Sequence, residues 1–363
     1  MYGILIREGV GRGAWKNIGD YVQSIAQKQF LKDKETCFVE IEKLSEFKSE
    51  EPVNVIMNGW FMWHPEMFPP SPCINPLFIS FHLTPSKEKD FFTPETIAYL
   101  KKYEPIGARD VRTANMMKAH GIDSYFSGCL TMTLGLDYKQ DKEHDGDIFI
   151  VDPYMELFGD SDVHGLKRVW KYLGLVWHAI KYFRKVWKLK DKYINTTSSV
   201  FGRISLKLDE FICTADYYHI YSKRFSDEIL LNAKYISAIV DNYMSNDEKF
   251  ALADSNLRDY ANAKCVITSR LHVSFPCLAV GTKNIFVIPS EKSEGEMKNY
   301  TGRVGELNDT VTIMELRDGK LQDKGTTLPE KITLTNFPEN KVGYRKYFDQ
   351  LIKTVEKFIS NNK

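Results

Sequence analysis

An alternation constrains this chain more than any other feature: short apolar runs of strand length take turns with segments whose apolar residues recur at three- and four-residue steps. In the first 150 residues, "YGILI" precedes "NIGDYVQSIAQKQFL", where Ile18, Val22, Ile25, Ala26 and Phe30 fall at helical spacing. "VNVIMNG", "PLFISFHL", "TPETIAYLKKY", "PIGARD", "VRTANMMKAHGI" and "DIFIVD" continue as strand, strand, helix, strand into turn, helix and strand. A second series occupies roughly 195 to 330. There "DEFICTADYY" reads as strand and turn, and "SDEILLNAKYISAIVDNYM" and "NDEKFALADSNLRDYANA" as helices. "KCVIT" and "KNIFVIP" are strands around the helix "VSFPCLAV". Strands alternating with helices predict an α/β fold with parallel sheets covered on both faces. Two such series predict two α/β domains with a cleft between them. The boundaries fall at 1–155, 156–198 (a basic aromatic helical segment), 199–335 and 336–363 (a C-terminal helix).

The segment from 162 to 192 breaks the rhythm. Leu166, Val169, Trp170, Leu173, Val176, Trp177, Ile180, Phe183 and Trp187 recur at helical steps, and Lys and Arg fill much of the remaining surface. This predicts a basic amphipathic helix, with a break at Gly174. Its apolar side either packs on the protein or lies in the interface of an anionic membrane, and the number of aromatics favours the membrane. The chain as a whole carries a net charge of only +1, so it is no polycation and no nucleic-acid partner is expected. Six scattered cysteines show no CxxC pair, and no ligand cluster points to a metal. The N-terminus lacks a long apolar stretch and no uncharged run approaches the ~20 residues of a membrane span. The expectation is a cytoplasmic protein, peripheral at most on the inner face of the membrane.

Chemistry is concentrated at one strand end. In "CVITSRLHVSF" a buried strand stops near Thr268, and Ser269, Arg270, Leu271 and His272 form the turn into a helix. Ligands of parallel sheets bind beyond the carboxyl ends of strands, and free N–H groups at a helix start favour an anion. Arginine adds a permanently charged fork for carboxylate or phosphate, and histidine a proton exchangeable near neutrality. Spacing alone leaves a capping arginine and a histidine satisfied by backbone as an equal alternative. "PIGARD" repeats the design. Arg109 is a second candidate anion ligand, and Asp110 reads as a helix cap. "NIGDYVQS" supplies Asn17, Gly19 and Asp20; Gly19 permits close approach, and Asp20 is a cap or a catalytic carboxylate. "GVGRGAW" is too loose for a nucleotide fingerprint. The loop "NGWFMWHPEMFPPSP" offers Trp60, Trp63 and His64 as a stacking surface for a sugar or as local packing. Cys129 in "FSGCLTMTL" has no base in view and reads as structural.

"PIGARDVRTANMMKAHGID", "YFSGCLTMTL" and above all "NLRDYANAKCVITSRLHVSFPCLAVGTKNIFV" resemble the polysaccharide pyruvyl transferase family, and "NIGDYVQSIAQ" is similar to its Asn-x-Gly-Asp segment. The resemblance implies two Rossmann-like domains in an architecture like glycosyltransferase B, with the acceptor on the N-terminal side and the donor on the C-terminal side. It implies transfer of a pyruvyl group from phosphoenolpyruvate, as co-substrate and without a cofactor, to a sugar, usually as a ketal. The Arg-x-His motif falls on Arg270 and His272 and is associated with holding the donor; Arg109 lies in a matching segment, and its place beside the donor with Ser269, Leu271, Asn17 and Gly19 is inferred from their positions at strand ends and helix starts. His272 is then the candidate general acid and Asp20 a candidate base, with Trp60, Trp63 and His64 on the acceptor side. A lipid-linked oligosaccharide of cell-envelope or capsular polysaccharide synthesis is the expected acceptor. The rival expectations are a sugar-nucleotide glycosyltransferase of the same architecture and a non-enzymatic membrane-attached scaffold.

Overall fold

In the computed structural model, residues 1–8, 16–140, 143–155, 166–197, 207–240, 243–290 and 309–362 are described. All of "GVGRGAW", the first residues of the basic segment and the boundary near 198 lie outside them. The fold is mixed α/β with mostly parallel sheets. One sheet contains β1 (Tyr2–Ile6), β3 (Thr36–Glu40), β4 (Val53–Ile56) and β5 (Ile74–Leu77) in the order β3-β1-β4-β5, all parallel. The larger sheet has the order β14-β13-β12-β11-β8-β9, from β8 (Ile148–Val151), β9 (Lys234–Ile236), β11 (Cys265–Thr268), β12 (Asn284–Pro289), β13 (Ile313–Arg317) and β14 (Lys320–Lys324). Among the described strands of this sheet only the β13–β14 pair is antiparallel.

Every residue of β8, β11 and β12 is buried, which is why these strands read as continuous apolar runs rather than alternating ones. Fully burying a side chain such as Val266 or Ile267 contributes roughly 1.5–3 kcal/mol. The edge strand β14 is different: Lys320, Gln322 and Asp323 are exposed, and such charges discourage pairing with another chain. The strand 148–151, grouped by sequence with the first 155 residues, is hydrogen-bonded between β9 and β11 in the larger sheet.

Two small sheets complete the connections. β2 (Lys16–Asn17) pairs antiparallel with β10 (Ile239–Val240), tying the entry of the first helix to the larger sheet. β6 (Ile106–Ala108) pairs parallel with β7 (Ser124–Phe126). Helix α1 (Gly19–Lys28) packs against α10 (Asn246–Asn262) and α11 (Leu271–Val280). One buried cluster takes Ile6 and Ile56 from the first sheet, Phe149, Val151 and Val266 from the second, and Val22, Leu257 and Val273 from these helices. The C-terminal helix α12 (Arg345–Asn361) adds Leu351 and Val355 to it.

Helices α2 (Glu88–Phe91), α3 (Pro94–Lys101), α4 (Val111–Ala119) and α5 (Gly135–Tyr138) lie between the two large sheets in sequence. After β8 come α6 (Leu166–Lys181), α7 (Phe183–Thr197), α8 (Lys207–Tyr221) and α9 (Asp227–Asn232). Three expectations are corrected here. "DEFICTADYY" is helical, not strand: Ala215, Tyr218 and Tyr221 recur at three-residue steps and are buried, α8 packing on α6 and α7. Aromatic strand preference yields to that packing. "SDEILLNAKYISAIVDNYM" is helical only over Asp227–Asn232, capped by Ser226; Ile236 and Val240 then enter strands that pair with β8 and β2. The basic segment runs unbroken through Gly174, whose absent side chain faces open space, and changes helix at Tyr182 instead.

Candidate active site

The larger sheet reverses direction between β8 and β11. From β8 the chain goes outward to β9 on one side, and from β11 to β12 and β13 on the other. The crevice beyond such a switch point, at the carboxyl ends of the strands, is where open α/β sheets bind ligands. Asp152 follows β8 and Arg270 follows β11, and the Arg270 Nε–H donates to Asp152 Oδ2 at 2.7 Å. The same carboxylate oxygen accepts the Ala238 N–H, just beyond β9, at 3.0 Å. Asp152 thus ties three adjacent strand ends together, from a backbone at φ +42° that only a few non-glycine types adopt readily. Its other oxygen, Oδ1, is buried without a hydrogen-bond partner among the described residues. Ser269 braces the next loop by accepting the Tyr154 N–H at 2.8 Å.

From this turn α11 begins with Arg270 as its N-cap residue, and no side chain closes the helix end. His272 sits at a kink in the first turn (φ −79°, ψ 16°). Across from it the first turn of α1 comes so close that a Cβ on Gly19 would stand 2.8 Å from His272 Nδ1 and 3.0 Å from Asn17 Oδ1. Only glycine permits this approach, and Asn17 Oδ1 accepts its N–H at 2.9 Å.

The third charged group comes from the other half of the chain. Arg109 follows β6, with its N–H on the Phe81 carbonyl, and its side chain is buried. Its Nη1 donates to Gln23 Oε1 at 2.9 Å and meets His272 Nε2 at 3.2 Å. A guanidinium can only donate, so this contact uses the lone pair of Nε2. Arg109 Nε is buried without a partner among the described residues. Asn17, Gly19, Arg109, Ser269, Arg270, Leu271 and His272 all line one cleft of about 90 Å³. All seven sequence candidates for the donor side are therefore brought together. Asn256 and Tyr260 of α10, Val22 and Ala238 also line it, and sequence reading passed over them. Asp152, also missed, carried a signal like that of Arg270: a charged residue at the end of an apolar strand.

Asp20 and the aromatic candidates lie elsewhere. The first sheet has its own switch point between β1 and β4, and a recess there is lined by Arg7, Asp20, Gln23, Asn58, Gly59 and Trp60. Asp20 Oδ2 is 3.0 Å from Arg7 Nε, and Arg7 also contacts Glu42 and donates to the Trp60 carbonyl at 2.7 Å. Gln23 lines this second recess and links it to the first through Arg109, accepting from the Arg109 guanidinium while its Nε2 donates to Asp20 Oδ1 at 3.3 Å. Trp63 stands edge-on to Trp60 at 5.2 Å and is largely exposed. His64 is 2.7 Å from Glu66 and lines neither hollow.

Asp110 is the helix cap of α4, accepting the Thr113 N–H at 2.9 Å, with His82 Nδ1 at 2.6 Å. Burial pushes its carboxyl up, but the His82 hydrogen bond and charge, the Thr113 N–H and the Arg109 charge outweigh this and hold it at about 2. Cys129 is packed in an apolar cluster with Met132, Leu271 and Phe275, beneath the helix that carries His272. Among the described residues no group of three or more His, Cys, Asp or Glu gathers as metal ligands.

A family model described as polysaccharide pyruvyl transferase matches residues 17–291, well over half of the chain. The matched span runs from Asn17 through the whole cleft. No curated protein matches the chain.

Proposed function

The chain belongs to the polysaccharide pyruvyl transferase family, and from that premise we propose that it moves the enolpyruvyl group of phosphoenolpyruvate onto a sugar to form a pyruvate ketal. Membership itself makes it a transferase of polysaccharide biosynthesis. The observation that carries the finer reading is the convergence of Arg109, Arg270 and His272, from the two halves of the chain, on one cleft. Phosphoenolpyruvate brings a carboxylate and a phosphate, and two arginines beside an uncapped helix start suit both. We read the two sheets as the lobes of a transferase resembling glycosyltransferase B, with donor and acceptor at their two switch points.

The chemistry proceeds by proton transfer. Protonating the methylene carbon C3 leaves an oxocarbenium-like centre at C2 of the donor. A sugar hydroxyl adds to C2 and gives up its proton. The C–O bond to phosphate then breaks, the phosphate leaving with its electron pair, and a second hydroxyl closes the ketal with loss of its own proton. His272 is the proposed acid, and Arg270 and Arg109 stabilise the departing phosphate. Because Nε2 accepts from Arg109 before the donor arrives, the anionic donor must draw the guanidinium away for Nε2 to carry a proton. Asp20, beyond Gln23 in the second recess, is the proposed base for an acceptor whose ring rests on Trp60 and Trp63, with His64 at the margin.

The acceptor is read as a lipid-linked oligosaccharide of envelope or capsule synthesis, which sets the reaction at the inner face of the cytoplasmic membrane. The test is release of phosphate from phosphoenolpyruvate with galactose- and mannosamine-ended lipid-linked acceptors, for the native protein and His272→Ala. Acceptor-dependent release, with a product heavier by one pyruvyl unit and absent in the variant, supports both the reaction and the acid. Failure of phosphoenolpyruvate to bind, alongside stabilisation by sugar nucleotides in a thermal-shift comparison, overturns the donor.

A further inference from the structure

Helices α6 and α7 carry two apolar faces, and the described residues cover only one. Leu175 and Ala179 of α6 and Val186, Leu189 and Tyr193 of α7 are buried, packing toward α8 and the larger sheet. Trp170, Leu173, Trp177 and Ile180 form a separate stripe, at steps of three and four, on the exposed side of α6. Phe183 and Trp187 extend it onto α7, stacked at 5.8 Å. Trp170, Trp177 and Trp187 are 71%, 63% and 58% exposed. A patch of this kind marks an interaction surface, because monomeric proteins rarely leave one open to water.

Its charge says which surface it fits. Residues 166–197 hold nine Lys and Arg against one Asp, a net of +8 on a chain whose total is +1. The rest of the molecule is therefore net acidic, so the net positive excess sits on the helices bearing the exposed tryptophans. Lys181, Arg184 and Lys188 are exposed beside the apolar stripe. Tryptophans and aliphatics on one face with flanking cations suit the interface of an anionic bilayer, where rings settle at the headgroups and cations meet lipid phosphates. At 16 residues α6 is too short to span, and no helix among the described residues is long and apolar enough to cross a membrane.

We propose that α6 and α7 dock the protein on anionic phospholipid by lying in the plane of the interface. The proposal rests on the lipid-linked acceptor of the preceding section only for its purpose; the docking is measured without turnover. Partition is followed by co-sedimentation with vesicles of phosphatidylcholine alone and of equimolar phosphatidylcholine and phosphatidylglycerol, at low and physiological salt. The native protein is expected on the anionic vesicles, less so as salt rises. Trp177→Ala/Trp187→Ala and Lys181→Glu/Arg184→Glu should each lower the partition coefficient by about tenfold or more. His272→Ala should partition like the native protein, which keeps a failure of the chemistry distinct from a failure of docking. Where a double variant melts early, quenching of native tryptophan emission by brominated phosphatidylglycerol decides instead. No partition, equal partition in both double variants, absent quenching, or a dimer that covers the tryptophans overturns the proposal.

Discussion

Arg109 Nη1 lies 3.2 Å from His272 Nε2 across a sequence separation of 163 residues. The contact joins the two halves of the chain at the proposed reacting centre and sets the starting state of the histidine. With Arg109 donating, Nε2 is an acceptor, and in the proposed mechanism it becomes a donor once the guanidinium has turned to the phosphate of the proposed donor.

Donor binding should therefore take up a proton. Calorimetry of phosphoenolpyruvate binding in buffers of differing ionisation enthalpy should give buffer-dependent heats, and His272→Ala should abolish that dependence. The same variant should lose about 10²- to 10⁴-fold in turnover while still binding the donor. Heats that ignore the buffer would sink the idea that Nε2 is freed and protonated.

Gly19 is a steric gate for His272. Gly19→Ala sets a methyl 2.8 Å from the Nδ1 atom, too close for any ordinary contact, so the imidazole or the first turn of α1 must shift. Overpacking of this sort costs about 1–3 kcal/mol of stability. An ångström of displacement at a reacting group costs on the order of 10²-fold in rate. Equilibrium unfolding with steady-state kinetics checks both; native turnover would mean His272 is not held by this contact.

Asp152 is expected to act by positioning Arg270 rather than by touching substrate. Asp152→Asn keeps a residue that tolerates positive φ and removes the charge that orients the Arg270 Nε–H. Turnover should fall about 10- to 100-fold. Donor KM should change less, because a competing negative charge leaves with the anchor. A rise confined to KM would contradict positioning.

Asp110 should shape the acid limb of stability. Its folded value of about 2 lies below the ordinary 3.8, so in that window the unfolded chain binds more protons than the native one and falling pH favours unfolding. The contribution is complete above about pH 4 and drains away toward pH 2, and it amounts to about 2 kcal/mol. Urea unfolding across that range should show the loss in the native protein and a flatter limb in Asp110→Asn.

The α/β class was legible because its cause is local. Fully buried strands such as "CVIT" and "NIFVIP" must be apolar throughout, and helices such as "NDEKFALADSNLRDYANA" must repeat at 3.6 residues. Where packing overrode local preference, reading failed. The tyrosines of 217–221 look like strand until three helices are seen to stack on one another. Short β3 and β7 and the hairpin β13–β14 escaped notice, since polar or charged residues interrupt the apolar runs of "TCFVE", "SYF", "IMELR" and "KLQDK".

The same division runs through the site. By itself the sequence determined that Arg270 and His272 stand where an apolar strand turns into an apolar helix, a place that a core without a ligand would leave uncharged. It determined too that Arg109 occupies a similar strand end and that Asn17 and Gly19 open a helix. Only the tertiary structure decided that these residues share one cleft, that Asp20 and Trp60 face a neighbouring recess, and that Asp152 and Gln23 hold the arginines. Sequence spacing reports which face of an element a residue occupies, because that follows from backbone geometry. It carries no information on which faces meet, because that depends on strand order and helix packing across the whole chain.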